Sequence, residues 1–234
     1  MPSPALDSPP SLPPSTALPL CVGVLLAAGH GRRYAAAALG QDKLLVLLGD
    51  GTPVAVACAR ALRQATARTI AVLRADQTAL RALLESEGCE IVVVQAEANG
   101  MGDSLATAAR HLMQEKQGEQ AEQGVQAVQD VHALDHLSES ACLIALADMP
   151  WLRADTCLQV AAATRRHRIV APTWQGRRGH PVAFARDLWP ELAALAGDVG
   201  ARSVLMRHPV HELVVDDPGV LADVDAPGDL VSKP

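Results

Sequence analysis

Leu20-Cys21-Val22-Gly23-Val24-Leu25-Leu26-Ala27-Ala28-Gly29-His30-Gly31-Arg32-Arg33 is the stretch that decides how the rest of this chain is read. Leu20 to Ala27 is a short apolar run, carrying β-branched valines and closed by glycine, as a strand buried on both faces of a parallel sheet requires. The glycines after it let backbone N–H groups come close to an anion, and a loop at the carboxyl edge of such a sheet is where phosphates sit. Three phosphate loops compete for the segment. A dinucleotide loop asks for G-x-G-x-x-G with an acid about 20 residues on, whereas Tyr34 stands in the third glycine's place. A Walker loop asks for G-K-[ST], and its nearest candidate, Gly40-Gln41-Asp42-Lys43-Leu44, has no hydroxyl after the lysine. The third is a glycine loop backed by Arg33 and, further on, Lys43, a pair able to hold β- and γ-phosphates as pyrophosphate leaves. The plain alternative is an ordinary turn with solvated arginines.

Outward from that loop the chain alternates. Thr52-Pro53 supplies an N-cap and an N1 proline for a helix to about Ala67, Thr69 to Leu73 is a strand, and Asp76 caps a helix through about Glu87. Cys89 to Gln95 is a third apolar strand and Gly102 to Met113 a helix. The β-α-β-α-β-α order means a parallel sheet. Residues 114–140 (QEKQGEQAEQGVQAVQDVHALDHLSES) break the pattern and read as a Gln/Glu-rich insertion pointing away from the site. Cys142 to Ala147 is again a clean strand, ended by Asp148-Met149-Pro150. A helix from about Ala154 to His167 and a strand from Ile169 to Pro172 follow, and Trp174 to Gly179 is a turn-rich connector into Pro181 to Phe184. Two helices (about Arg186 to Ala196 and Ala201 to Arg207), a strand from Glu212 to Val215 and an acidic turn with a short helix over 223–230 complete the chain. The expected fold is an α/β three-layer sandwich, a mostly parallel twisted sheet with helices on both faces. Residues 1–19, rich in Pro and Ser, are expected to be a disordered tail ahead of a single domain over 20–234.

Composition narrows the function classes. Hydrophobic residues make up 49% of the 234 but aromatics only 2%, so Ala, Val, Leu and Ile must build the core and base-stacking platforms are lacking. A net charge of -6 is the wrong sign for a protein that tracks nucleic acid by neutralising phosphates. The five cysteines are scattered, never spaced C-x-x-C, and mostly embedded in apolar runs; they read as reduced, buried thiols of a cytoplasmic protein without a structural zinc site. No apolar stretch reaches the roughly 18–20 residues a membrane span needs, and no signal-peptide pattern is present.

Asp148 stands out on physical grounds alone. A carboxylate at the carboxyl end of a buried parallel strand, held by a following proline, projects into the ligand crevice, and Mg²⁺ is bound by one or two carboxylates together with substrate phosphates. The alternative is a cap for the helix after Leu152. His180, behind Arg177 and Arg178, reads as a polar wall for a second substrate whose phosphate pairs with an arginine, or as a turn histidine among solvated arginines. His132 and His136 have i, i+4 spacing but no third ligand.

Taken in order, the motifs resemble one family. A-A-G-x-G-x-R followed by G-x-D-K-L is similar to the signature of the GT-A-like nucleotidyltransferases, and among them the molybdenum cofactor cytidylyltransferases and guanylyltransferases. Gly100-Met101-Gly102-Asp103-Ser104-Leu105 resembles the loop that contacts base and sugar, and Leu146-Ala147-Asp148-Met149-Pro150 the metal-binding segment. Gly179-His180-Pro181, Gly197 to Arg202 and Asp223-Val224-Asp225-Ala226-Pro227 resemble the later motifs. The resemblance spans about residues 20–230. The chain departs from it at Ala35 to Leu39, which lengthens the separation of Arg33 from Lys43, and at the 114–140 insertion.

The resemblance implies transfer of CMP from CTP to the terminal phosphate of a molybdopterin-type cofactor, with release of pyrophosphate. Arg33, Lys43 and Asp148 would be catalytic; Leu26, Ala27, Ala28, Gly29, Gly31, Gly102 and Ser104 would bind the nucleotide, and Arg178 and His180 the acceptor. Mg²⁺ would lie on Asp148 and Asp225, the latter chosen over Asp223 and Asp229 because it precedes Ala-Pro. The A-A-G of residues 27–29 favours CTP over the GTP of A-G-G relatives. Open beside this are a guanylyltransferase, a same-fold enzyme acting on another small phosphate, and a carrier that delivers the cofactor. A client molybdoenzyme or its chaperone would be the protein partner.

Overall fold

Strand β1 (Cys21–Leu26) is buried along nearly its whole length because its two faces serve two cores. Cys21 and Leu25 face one, Val22 and Val24 the other. In the computed structural model, which describes residues 21–38, 40–95, 100–123 and 139–230, this strand lies at the centre of an eight-stranded sheet. It pairs in parallel with β2 (Arg68–Leu73) and β4 (Ala141–Leu146), and β2 pairs in parallel with β3 (Glu90–Val93). Beyond β4 the order continues through β7 (Val182–Ala185) to β5 (Ile169–Trp174); β7 runs antiparallel to both neighbours, and β8 (His211–Val214) closes that side in parallel with β5. The three-layer, mostly parallel sandwich expected from the sequence is the fold found.

Helices cover both faces, each through a stripe of apolar positions. On one side lie α2 (Val54–Arg63), α3 (Thr78–Ser86) and α5 (Ala154–Ala163), contributing Cys58, Leu62, Leu80, Leu84, Cys157 and Val160. On the other, α4 (Met101–Gln123) presents Leu105, Ala108, Ala109 and Leu112, a spacing of three, four and seven that keeps one face to the sheet. The short α6 (Trp189–Ala193) and α7 (Arg202–Arg207) finish that layer with Trp189, Leu192 and Val204. α1 (Arg32–Ala37) sits over the loop leaving β1, anchored by the buried Tyr34.

Several boundaries differ from the sequence reading, for local reasons. α2 is capped by Pro53 rather than Thr52 and ends at Arg63, where Ala65 turns back to Leu62 and Ala67 donates to Cys21 at the start of β1. Asp76 does not cap α3; its carboxylate pairs with Arg74 Nε at 3.1 Å, and Gln77 takes the N-cap place. α4 runs ten residues past the expected end at Met113, to Gln123, while 124–138, most of the expected insertion, lie outside the described residues, as do 1–20. α5 stops at Ala163 instead of His167, and the helix expected over 186–196 is a 3₁₀ turn (Arg186–Leu188) followed by α6. The connector Trp174 to Gly179 is a hairpin: Gln175 and Gly176, both at positive φ (49° and 74°), turn the chain so that β6 (Arg177–Arg178) pairs back on β5.

This topology fixes the site. The register aligns Leu26 with Val72 and with Leu146, so β1, β2 and β4 end side by side. The loops leaving them, with the segment before Leu230, meet at one carboxyl edge.

Candidate active site

Asp42 begins the construction of the site. Its carboxylate accepts from Leu44 N at 3.0 Å and caps the 3₁₀ turn Lys43–Leu45, whose Leu44 is sunk in the core. That leaves Lys43 on the opposite side, its stem passing 3.6 Å from where a Cβ at Gly31 would lie. The Lys43 ammonium ends 2.5 Å from Asp148 Oδ2, 3.5 Å from Asp225 Oδ1, and donates to the Val224 carbonyl at 2.9 Å. Asp148 follows β4 and is tied to the C-terminal segment through its carbonyl, which accepts from Val224 N at 2.8 Å. Arg33, on α1, reaches in from solvent to pair with Asp225 Oδ2 at 2.7 Å.

The electrostatics are acidic despite these two bases. Asp148, Asp223 and Asp225 each offer a carboxylate oxygen within 4.8 Å of the others. Asp223 is held above its ordinary value, first by burial and then by the charges of Asp225 and Asp148. Asp148 Oδ1 is buried with no hydrogen-bond partner among the described residues, and such an orphan is costly unless a further donor or cation meets it. Three clustered carboxylates with an unspent oxygen are the donor set of a hard divalent cation, so the residues present fit a metal of the Mg²⁺ or Mn²⁺ kind.

Beside this cluster lies the glycine loop, whose Gly31 packs against the Lys43 stem. Ala27 and Ala28 are buried, Ala27 N donating to Val72 O at 3.0 Å, and Leu26 ends β1 against the adjoining pocket. Gly31 needs its glycine for φ of 56°, turning the chain into α1. Gly29 needs it for neither reason: its φ is not left-handed and a Cβ there meets nothing within 4 Å. The free space at Gly29 opens on the solvent side of the loop, where a ligand can come close.

Other expected site residues are placed differently from the four that converge. At Gly102 a Cβ would lie 2.8 Å from the carbonyl oxygens of Ala196 and Gly197, so this glycine serves close backbone packing. Ser104 is buried and donates to Gly100 O at 3.3 Å, within its own helix start. Asp103, between them, accepts from Gly100 N and Gly197 N and ties the two glycine segments together. Arg178 pairs with Glu212 at 2.6 Å and lines a pocket of about 260 Å³ beside the cluster. His180 lines the same pocket with Leu26, Leu146, Met101 and Leu105. Its proton affinity is lowered by burial, against the opposing pull of the Ile144 carbonyl and the charges of Asp148 and Asp223. Sequence reasoning weighed Asp223 but set it aside, and missed Arg74 and Gln77, which hold the loop's carbonyls.

Residues 23–213 match the MobA-like NTP transferase domain. Nicotine blue oxidoreductase of Paenarthrobacter nicotinovorans is 30% identical over 203 residues, 83% of this chain and 85% of that protein. The crystal structure of Rv0371c from Mycobacterium tuberculosis H37Rv is similar at 29% identity and a TM-score of 0.69, covering 91% of this chain and 99% of that one. The same protein in complex with manganese matches at 28% identity and 0.64, over 89% and 94%. Molybdopterin-guanine dinucleotide biosynthesis protein A from Archaeoglobus fulgidus shares the fold at 17% identity and 0.60, over 90% and 95%. No described helix is long and apolar enough to cross a membrane.

Proposed function

The chain belongs to the MobA-like NTP transferase family and is a nucleotidyltransferase acting on a nucleoside triphosphate, and from that premise we propose that it transfers CMP from CTP to the terminal phosphate of a molybdopterin-type cofactor. The observation that carries this reading is the meeting of Lys43, Arg33, Asp148 and Asp225 at the sheet's carboxyl edge, facing the glycine loop. An oxygen of the acceptor phosphate attacks the α-phosphorus in line; the new P–O bond forms as the bond to the β-phosphate bridging oxygen breaks, and pyrophosphate carries away the electron pair. The attacking oxygen is already ionised, so no base is required, and the task is positioning and neutralisation. N–H groups of Ala28 to Gly31 bind the triphosphate, and Lys43 and Arg33 take the charge that grows on pyrophosphate. Asp148 with Asp225, and Asp223 beside them, would hold a divalent cation, Mg²⁺ in this proposal, which when bound neutralises phosphate charge. His180 and Arg178 face the acceptor.

CTP is favoured over GTP by the buried Ala28, where A-G-G relatives have glycine. The manganese complex of Rv0371c is in keeping with a metal-bound cluster. A second reading keeps the reaction and changes the acceptor: the pocket beside His180 is walled mainly by apolar side chains such as Leu105, Ile144, Val182 and Phe184, which suits a body poorer in hydrogen-bonding edges than a pterin. Its relative named for nicotine blue fits such variety. The test is pyrophosphate released by the purified protein with Mg²⁺, intact molybdenum cofactor and either CTP or GTP. Release with CTP alone supports the proposal; release with GTP alone keeps the reaction and overturns the base. Silence with both turns the search to another acceptor or to a cofactor carrier.

A further inference from the structure

We propose that Arg74, together with Gln77, is the positioning residue that holds the nucleotide loop in its binding geometry, a role that rests on the reading of residues 28–31 as the triphosphate cradle. Arg74 is the first residue after β2, and Gln77 is the N-cap of α3. Arg74 Nη1 donates to the carbonyls of Ala28 at 2.7 Å and Gly29 at 2.8 Å, and Gln77 Nε2 donates to the carbonyl of Ala27 at 3.0 Å. The two clamps brace each other: Gln77 Oε1 accepts from Arg74 N at 2.8 Å, and Asp76 Oδ1 accepts from Arg74 Nε at 3.1 Å. Gln77 is buried and Arg74 largely so, which removes most of the freedom either would otherwise have to leave.

The consequence follows from peptide geometry. In a trans peptide the carbonyl of one residue and the N–H of the next point opposite ways. Drawing three successive carbonyls toward the β2–α3 turn sends the N–H groups of Ala28, Gly29 and His30 to the other side. Among the described residues none of those three donates to a backbone carbonyl. A row of unspent N–H donors after a buried strand is an anion's ligand set. Released, the same carbonyls could turn their negative ends toward the phosphates, so the guanidinium removes a repulsion and adds a positive charge behind the loop.

The test uses the full chain and Mg²⁺ with CTP and with GTP as probes, following equilibrium nucleotide binding, pyrophosphate release and thermal unfolding for wild type, Arg74→Ala, Arg74→Lys and Gln77→Leu. Arg74→Ala is expected to weaken nucleotide binding about ten- to a hundredfold, the scale of loss for a misplaced cradle. Arg74→Lys recovers part of it, and millimolar guanidinium added to Arg74→Ala recovers part as well, which loss of fold would not allow. Gln77→Leu gives a smaller loss in the same direction. Wild-type affinity in Arg74→Ala overturns the proposal, as does a loss that tracks the melting temperature and responds to neither Lys nor guanidinium. Binding of neither nucleotide by wild type overturns the nucleotide reading itself, and this role with it.

Discussion

Replacing Lys43 by Met tests whether the acidic cluster is held together by an internal cation. The ammonium lies 2.5 Å from Asp148 Oδ2 and 3.5 Å from Asp225 Oδ1, with only 11% of the Lys43 side chain and 20% of that of Asp148 exposed. At 2.5 Å and an effective dielectric of about 20 the attraction is about 6–7 kcal/mol, much of it offset by desolvating the two ions. The variant keeps the desolvation and loses the attraction: Asp148, with one oxygen already unpartnered, is left facing Asp223 and Asp225. Breaking one side of a buried pair costs about 3–5 kcal/mol, and the partial exposure places this case near 3. For a domain of this size that is a fall of about 6–12 °C in melting temperature. A divalent cation supplies what the ammonium did, so manganese at a hundred times its Kd returns about 2.7 kcal/mol and stabilises the variant more than wild type, where Lys43 competes. The assay is thermal unfolding followed by circular dichroism in EDTA and in manganese. A Lys43→Met protein melting within about 2 °C of wild type in EDTA, or gaining no more from manganese, refutes the reasoning.

Asp148→Asn is expected to keep the fold and lower metal-dependent pyrophosphate release by at least about a hundredfold; an active Asn variant sinks the metal assignment. Two glycines separate packing from binding. A Cβ at Gly179 would lie 2.1 Å from Val220 O, so Gly179→Ala should cost about 1–3 kcal/mol in chemical unfolding. At Gly29, where a Cβ meets nothing, Ala should change stability by no more than about 0.5 kcal/mol while weakening nucleotide binding measured by equilibrium dialysis. The buried thiols predict alkaline lability: burial pushes Cys89 up to about 11 and Cys142 and Cys157 to about 12, from an ordinary 9.0. These groups stay protonated in the folded chain above pH 9 but ionise when it unfolds, so stability falls as pH rises from there, by about 1.4 kcal/mol per unit for each thiol. A denaturation series from pH 8 to about 11 with no such fall would contradict their burial.

The parts of this protein that can be read from its sequence are those where one residue's environment is set by its own chain neighbours. The run from Cys21 to Leu26 is apolar on both faces and had to be a central strand; Asp148, closing such a strand before Pro150, had to face the crevice. What resisted reading depends on partners that leave no mark in composition. Arg74 and Gln77 act on the carbonyls of residues 27–29, and a carbonyl is the same in every residue. Asp76 had the residue type of a cap but was drawn to Arg74. The hairpin at Gln175-Gly176 lacked the Asn-Gly or Asp-Gly pair that announces such turns. Lys43 is the instructive case, because Ala35 to Leu39 lengthen its distance from Arg33 along the chain beyond the spacing expected from the motif the sequence resembles. Ala35, Ala36 and Ala37 are taken up as helix behind the buried Tyr34, where each residue advances only about 1.5 Å, so the added length goes into α1 and Asp42 still starts its turn against the core. Arg33 and Lys43 consequently meet on one carboxylate, Asp225, from opposite ends of a longer segment. Motif spacing counts residues, whereas the chemistry depends on where those residues are spent.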